Sequence, residues 1–441
     1  MRRLFYISSL FFVFLTSQNL YAQDIDIQHW QTSQGTRVYF IAAPELPMLD
    51  VRVVFAAGST HDDALPGLAA LTNTLLDKGA DGMDADTIAQ RMDGLGAHLG
   101  AGSERDMAWL SLRTLSQADL MDDALQVFAS VLSHADFNES DFKRERERTL
   151  IGLKMEQERP GAIASRAFYR AIYNKHPYAT SPAGNRESVE AIRLQQVKAF
   201  YQRYYVAQNA VVSIVGDVDR EQAEAIARRI TRDLPKGHAA AALASVADLE
   251  TGSQQYIHHP SQQSHLLMGQ PGVYRGDPDY YALYTGNYIL GGGGLVSRMS
   301  DEVREKRGLA YSAYSYFLPM QRKGPFMLGL QTRNDQVGEA LQVARKTLTD
   351  FVTSGPTEDE VEAAIQHITG GFPLRIDSNG KMIGYLSMIG FYGLPLSYLE
   401  DFNGNISRLT RDEIHDAFRR RINPDRMVTI VVGGEDIFKG D

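Results

Sequence analysis

The segment DDALQVFASVLSHADFNESDF, residues 122–142, recurs in altered form as GEALQVARKTLTDFVTSGPTEDEV, residues 338–361. The shared Ala-Leu-Gln-Val begins at Ala124 and at Ala340, an offset of 216 residues. A second pair of segments, VVSIVGDVD and VTIVVGGED, is offset by 217 residues. Self-similarity at a nearly constant offset indicates that one structural unit is repeated. The sequence therefore predicts two homologous domains in tandem.

Each unit mixes strand-like and helix-like patterns. TRVYFIAAPELPMLDVRVVFAAGS, residues 36–59, contains two β-rich runs around a turn with proline, which is typical of a strand pair. Helical patterns follow, and a strand (NAVVSIVG) and a further helix (REQAEAIARRITRDL) close the unit. This mixture predicts an α+β fold, in which each domain is a mainly antiparallel sheet with helices packed on it.

The first 22 residues are typical of a signal peptide. Arg2 and Arg3 precede an apolar run that ends at Leu15, and Ala22 offers a cleavage site. The run is shorter than the roughly 20 apolar residues that a membrane span requires. We therefore expect export to the periplasm, with cleavage near Ala22 and no stable membrane anchor.

The mature chain divides at a segment of small and polar residues with little apolar periodicity, residues 235–255. We interpret this segment as a linker between an amino-terminal domain, residues 23–234, and a carboxy-terminal domain, residues 256–441.

Composition excludes several classes of site and partner. The chain has no cysteine, so disulfides, thiolate nucleophiles and cysteine metal sites are excluded. Removing the two signal-peptide arginines from 45 basic residues leaves 43 against 54 acids, a net charge of -11. An acidic protein of this kind is a poor partner for nucleic acid or an anionic membrane.

Four glycines lie in YILGGGGLVSRMSDEVREKRGLAY, residues 288–311: Gly291, Gly292, Gly293 and Gly294. The Gly-Lys pair of a Walker A loop is missing, and residues 295–299 lack the glycine that a dinucleotide pattern requires. The run predicts a permissive strand end that allows close backbone approach, or a plain flexible loop. A helix and then a strand are expected after it.

The sequence around these glycines resembles the carboxy-terminal domain of the pitrilysin-like zinc peptidases, or inverzincins, which include insulinase and the mitochondrial processing peptidase. The matching segments are HLLMGQPGVYRGDPDYYALYTGNYILGGGG and SRMSDEVREKRGLAYSAYSYF, and FAAGSTHDDALPGLAALTNTLLDKGADG resembles the amino-terminal motif region. The resemblance implies that the two domains form half of a clamshell around an unfolded peptide, which adds as a strand to a sheet edge. The glycines would then lie in a loop that approaches the substrate.

The resemblance also implies an arginine and a tyrosine, seven residues apart, that hold the substrate carbonyl. Arg304 and Tyr311 match them. Tyr311 would donate a hydrogen bond to the developing oxyanion, and Arg304 would fix the substrate backbone. Without the resemblance, the favoured interpretation is that Arg304 is a solvated helix charge and Tyr311 a packed strand aromatic.

The zinc motif of that family, H-x-x-E-H on a helix, is missing here. Ala70 and Thr74 stand at the histidine positions and Asn73 at the glutamate, while Leu68, Leu71 and Leu75 keep one helix face apolar. The third ligand position falls on Lys154 in the best register, and a lysine there would repel a cation. We expect no metal bound by this chain.

Three functions are compatible with this combination. The first is the non-catalytic subunit of a two-chain peptidase, in which a heterodimeric partner of the same family supplies zinc and the general base for cleavage of an unfolded peptide. The second is a peptide-binding or structural clamshell without hydrolysis. The third, an independent peptidase, is disfavoured because the cluster of His258, His259 and His265 is more typical of surface or core histidines than of a zinc site.

Overall fold

The computed structural model describes residues 25–438, so the predicted signal peptide lies outside the described residues. The chain forms two halves, each built around one large sheet. The strands of the first half are β1 (Gln28–Gln31), β2 (Arg37–Ala42), β3 (Met48–Phe55), β4 (Gly79–Ala80), β5 (Met83–Asp84), β6 (His98–Ser103), β7 (Ala108–Leu115) and β8 (Ala210–Gly216). Its helices are α1 (Leu68–Thr74), α2 (Ala85–Gly94), α3 (Ala118–Ser133), α4 (Glu139–Glu156), α5 (Pro160–Tyr173), α6 (Arg186–Ala191), α7 (Leu194–Tyr204) and α8 (Arg220–Thr231).

The second half repeats this plan with fewer strands. Its strands are β9 (Ser253–His258), β10 (Gln263–Pro271), β11 (Ala310–Phe317), β12 (Pro325–Arg333) and β13 (Val428–Gly433). Its helices are α9 (Tyr280–Asn287), α10 (Val337–Ser354), α11 (Glu358–Gly371), α12 (Asn379–Tyr392), α13 (Tyr398–Ser407) and α14 (Arg411–Arg421). None of the helices within residues 25–438 combines the length and the apolar character needed to span a membrane.

The two large sheets share one topology. The first runs β1-β2-β8-β3-β7-β6 and the second runs β11-β12-β10-β13-β9. Only β2 with β8 and β9 with β13 are parallel neighbours, and the other pairs in these sheets are antiparallel. Sheets of this kind with helices packed on them confirm the predicted α+β class.

One predicted strand pairing is wrong. The two β-rich runs in residues 36–59 form β2 and β3, but these strands do not pair with each other because β8 lies between them. β8 is buried along its whole length, whereas β1 and β6 at the sheet edges are partly exposed. A strand that is apolar on both faces belongs at the centre of a covered sheet.

The repeated segments occupy matching places, which confirms the tandem duplication. Ala124 lies in α3 and Ala340 lies in α10, and both are fully buried. β8 and β13 each lie beside the one parallel partner of their sheet. The duplication is therefore visible in the packing as well as in the sequence.

One helix of each half packs on the sheet of the other half. α5 contacts β10 and β13, and Phe168 is buried there with Ile430. α12 contacts β8 and β3, and Leu386 is buried with Val211. Each helix thus removes apolar surface of the opposite sheet from water, which stabilises the fold by roughly 25 cal/mol for each Å² buried. This exchange joins the two halves through shared hydrophobic clusters.

The predicted linker is packed against the molecule. Residues 235–252 have no regular secondary structure, and β9 begins at Ser253. Leu243 and Val246 are buried in the cluster that contains α5. Arg322 Nε donates a hydrogen bond of 2.8 Å to the Leu243 carbonyl oxygen, which holds the segment to the second half.

Candidate functional site

Helix α1, which carries the positions of the zinc motif, is held at its start by a buried carboxylate. The two oxygens of Asp62 accept hydrogen bonds from the main-chain N–H groups of Gly67 and Ala69, each at 2.7 Å. Burial raises the pKa of Asp62 to about 7 in spite of these bonds. The predicted core face of the helix is confirmed by three buried leucines: Leu68, Leu71 and Leu75.

The three motif positions on α1 do not fit zinc. Asn73 is buried, and its Nδ2 donates hydrogen bonds of 3.2 Å to the Trp109 carbonyl oxygen and to the Tyr205 hydroxyl. The Thr74 hydroxyl donates a bond of 2.9 Å to the Ala70 carbonyl oxygen. A methyl group, a hydroxyl that is already donating and a neutral amide offer neither ligands of the kind zinc takes nor a base.

The remaining candidate ligands do not form a metal site either. Lys154 is exposed near the end of α4. His258 Nδ1 lies 3.1 Å from the Tyr256 hydroxyl, and burial lowers the pKa of His265. Within residues 25–438, no group of three or more His, Cys, Asp or Glu side chains is arranged to hold a metal ion.

The glycine run continues helix α9, so the predicted strand end is wrong. A π-helical segment, Tyr288–Gly292, follows α9 directly. A Cβ on Gly291 would lie 2.5 Å from the main-chain N of Ser315 in β11, a distance that no side chain tolerates. Gly294 has φ +64°, which favours glycine. Gly291 thus lets the helical segment lie directly against a strand of its own chain.

Arg304 and Tyr311 come together at the surface of the second half, and the predicted helix and strand that carry them are observed. Arg304 lies in the π-helical segment Ser300–Glu305, and its Cζ is 4.9 Å from the centroid of the Tyr311 ring. Arg304 Nε also lies 3.2 Å from a Glu305 oxygen. A guanidinium over an aromatic ring at this distance is attracted to it. The contact can therefore hold the tyrosine ring in place.

Tyr311 lies at an irregularity of an edge strand. β11 pairs Ala310 with Thr332 and Ala313 with Leu330, so it has one more residue than β12 between these pairs. Bulges of this kind re-aim side chains. The Tyr311 side chain is 85% exposed, and its hydroxyl makes no hydrogen bond within the described residues. Tyr311 is therefore not a packed core aromatic, and its hydroxyl is available to a ligand.

The two sets of predicted site residues remain separate. Ala70, Asn73 and Thr74 lie in the first half, whereas Arg304 and Tyr311 lie in the second half. Among the described residues, no hydrogen bond or ion pair links the first set to the second. The arginine and tyrosine therefore lie in a different half of the molecule from the positions of the zinc motif.

A buried carboxylate between the halves was not predicted. Asp106 accepts hydrogen bonds from the Tyr178 hydroxyl at 2.7 Å, from the Gln321 N–H at 2.7 Å and from the Tyr392 hydroxyl at 3.0 Å. Burial raises the pKa of Asp106, and these bonds oppose the rise. Its donors come from both halves and are distant in sequence, so no local pattern could have identified the network.

The sequence matches a known peptidase family over most of its length. A family profile described as "Insulinase (Peptidase family M16)" matches residues 37–185. A second profile, described as "Peptidase M16 inactive domain", matches residues 191–368.

Individual proteins agree with this assignment. A crystal structure described as a peptidase M16 inactive domain from Pseudomonas fluorescens is 41% identical, with a TM-score of 0.91, and the match covers 93% of this chain and 98% of that chain. An "uncharacterized zinc protease" from Streptomyces coelicolor is 28% identical over 396 residues, 87% of this chain and 85% of that protein. The "non-peptidase homolog YmxG" of Helicobacter pylori is 22% identical over 397 residues, 88% of this chain and 90% of that protein. The chain therefore belongs to the pitrilysin-like M16 peptidase family, as a non-catalytic member without the zinc motif.

Proposed function

We propose that this chain is the non-catalytic subunit of an exported, two-chain zinc peptidase that acts in the periplasm. A partner of the same family supplies the zinc ion and the general base, and this chain binds no metal itself. The observation that carries the proposal is an asymmetry. The zinc positions are filled by structural side chains, whereas Arg304 contacts the exposed Tyr311 ring.

The proposal gives each of the two residues a role in peptide cleavage. The free Tyr311 hydroxyl donates a hydrogen bond to the oxyanion that forms at the scissile carbonyl, which stabilises the transition state. Arg304 donates to the carbonyl oxygens of the substrate and keeps the Tyr311 ring oriented. The chain also closes one side of the chamber that encloses the unfolded peptide.

Co-expression tests this proposal. The chain is produced with an exported H-x-x-E-H protein that is encoded beside it, and the pair is purified, assayed for zinc and tested with unfolded peptides. We expect a stable pair with about one zinc ion per partner active site. Tyr311→Phe should lower kcat about 100-fold, the usual effect of removing one oxyanion donor. Arg304→Ala should raise KM.

Neighbouring residues supply matched controls. Tyr314 lies on the same strand and is 40% exposed, so Tyr314→Phe should leave kcat unchanged. Arg307 binds Glu302 and serves as the control for Arg304. Zinc binding and cleavage by this chain alone would contradict the proposal. A stable pair in which both site variants cleave normally would favour a peptide-binding or structural clamshell. Fractionation and the sequence of the mature amino terminus test the periplasmic location and cleavage near Ala22.

A further inference from the structure

A cavity of about 650 Å³ lies between the two halves, and neither Arg304 nor Tyr311 is among its lining residues. Its walls come from β3, β6 and β7 of the first half, and from α12 and the segments around Arg275 and Met320 of the second half. This volume lies within the range of small-molecule sites, which is roughly 300 to 1,000 Å³.

The cavity is cationic although the protein is acidic. Five lining residues are basic and two are acidic, an excess of three positive charges, whereas the whole chain carries -9. Lys381 is paired with Asp377 at 2.9 Å. Four lining arginines form no ion pair with any described carboxylate: Arg52, Arg105, Arg275 and Arg375. Repulsion between like charges opposes such a cluster unless an anion balances it.

Two of these arginines have a donor without an acceptor. The Nε atoms of Arg52 and Arg275 are buried and make no hydrogen bond within the described residues. Arg105 differs, because its Nε donates to the Tyr178 carbonyl oxygen at 3.2 Å. Neither Arg52 nor Arg275 donates a side-chain hydrogen bond within the described residues, so their terminal Nη groups, rather than the covered Nε atoms, are available to a ligand in the cavity. Arg52 belongs to the first half and Arg275 to the second half.

The same walls offer apolar and aromatic surface beside each free donor. The Arg52 Cζ lies 5.9 Å from the centroid of the Trp109 ring, and the Arg275 Cζ lies 5.8 Å from the centroid of the Tyr392 ring. Further lining residues are apolar, among them Leu318, Met320 and Met388. A bare inorganic anion would leave this surface unused, whereas an anion with an apolar body would cover it.

We propose that the cavity between the halves binds an organic carboxylate with an apolar or aromatic body, and that Arg52 and Arg275 donate hydrogen bonds to the carboxylate. The carboxylate belongs either to a free acid or to the carboxy terminus of a peptide. The site is independent of the Arg304–Tyr311 pair and of any zinc-bearing partner, so it is testable on this chain alone.

Trp109 serves as a built-in reporter. The chain has two tryptophans, and Trp30 stacks on Arg220 at 3.8 Å outside the cavity lining. In a Trp30→Phe background, tryptophan fluorescence therefore reports on Trp109 alone. We expect 3-phenylpropionate to change the Trp109 fluorescence in a saturable way. The amide 3-phenylpropanamide should bind at least tenfold more weakly because it lacks the charge. Equal binding of the acid and the amide would overturn the proposal.

Variants and further probes complete the test. The double change Arg52→Gln with Arg275→Gln should weaken acid binding at least tenfold, and Arg170→Gln, at an exposed arginine of α5, should not. Unchanged acid binding by the double variant would refute Arg52 and Arg275 as the donors. Binding of inorganic phosphate as tight as that of the organic acid would refute the requirement for an apolar body. The acid–amide comparison does not use the double variant, so it decides the proposal even if that variant does not fold. A peptide ending in phenylalanine, compared with its carboxy-terminal amide, distinguishes a peptide terminus from a free acid.

Discussion

Replacing Asp106 with alanine tests whether one carboxylate holds the two halves together. Its oxygens accept from three donors, at 2.7, 2.7 and 3.0 Å. Tyr178 lies in the first half, and Gln321 and Tyr392 lie in the second half. The alanine variant removes all three bonds and leaves the donors in a largely buried place.

The expected loss of stability in Asp106→Ala follows from the number of donors that lose their acceptor. A buried donor that loses its acceptor costs about 1–3 kcal/mol, so three donors give about 3–9 kcal/mol. We use the lower limit for two reasons. The Tyr392 hydroxyl lines the cavity and can turn toward it, and the burial that raises the pKa of Asp106 also makes its charge costly. We expect Asp106→Ala to lower the free energy of unfolding by about 3 kcal/mol. Tyr392→Phe, which removes one bond, should cost about 1 kcal/mol.

Urea unfolding followed by fluorescence measures these differences, and hydrogen exchange locates them. Because α5 and α12 join the halves, their amides should exchange faster in Asp106→Ala than in the wild type. Asp123→Ala, at an exposed position in α3, should stay within about 0.5 kcal/mol of the wild type. A free energy of unfolding for Asp106→Ala as close to the wild type as that of this control would refute the reasoning.

Three further predictions concern single residues. Gly291→Ala should lower Tm because its Cβ would collide with the Ser315 backbone, whereas Gly370→Ala, with open space in α11, should raise stability by about 0.5–1 kcal/mol. Asp62 has a pKa of about 7 in the folded chain against 3.8 when exposed, so the folded state binds its proton more tightly. The contribution of Asp62 to the free energy of unfolding should therefore fall by ~2–4 kcal/mol as pH rises from about 4 to about 7. The measurement is the free energy of unfolding of the wild type minus that of Asp62→Asn, followed over this pH range. Asn73→Glu would bury a carboxylate beside a main-chain carbonyl and should lower stability by about 3 kcal/mol in thermal unfolding at pH 8.

Local features of the sequence predicted much of the fold and part of the site. Hydrophobic periodicity and the repeat at Ala124 and Ala340 indicated two α+β domains, because these signals lie within short segments. The resemblance to the inverzincins, rather than a local pattern, singled out Arg304 and Tyr311, and the fold brings these two residues into contact. The order of the strands could not be predicted from local sequence, because β8 lies between β2 and β3 but follows them in the chain by more than 150 residues.

The sequence by itself determined the chemistry that the chain lacks. Ala70, Asn73 and Thr74 cannot act as zinc ligands or as a base in any conformation, because the required atoms are missing from the side chains. Only the tertiary structure decided how the two halves are joined. The exchange of α5 and α12, the three bonds to Asp106 and the arginine-lined cavity all bring together residues distant in sequence. Such contacts depend on how whole sheets and helices pack, and no local pattern of residues specifies that packing.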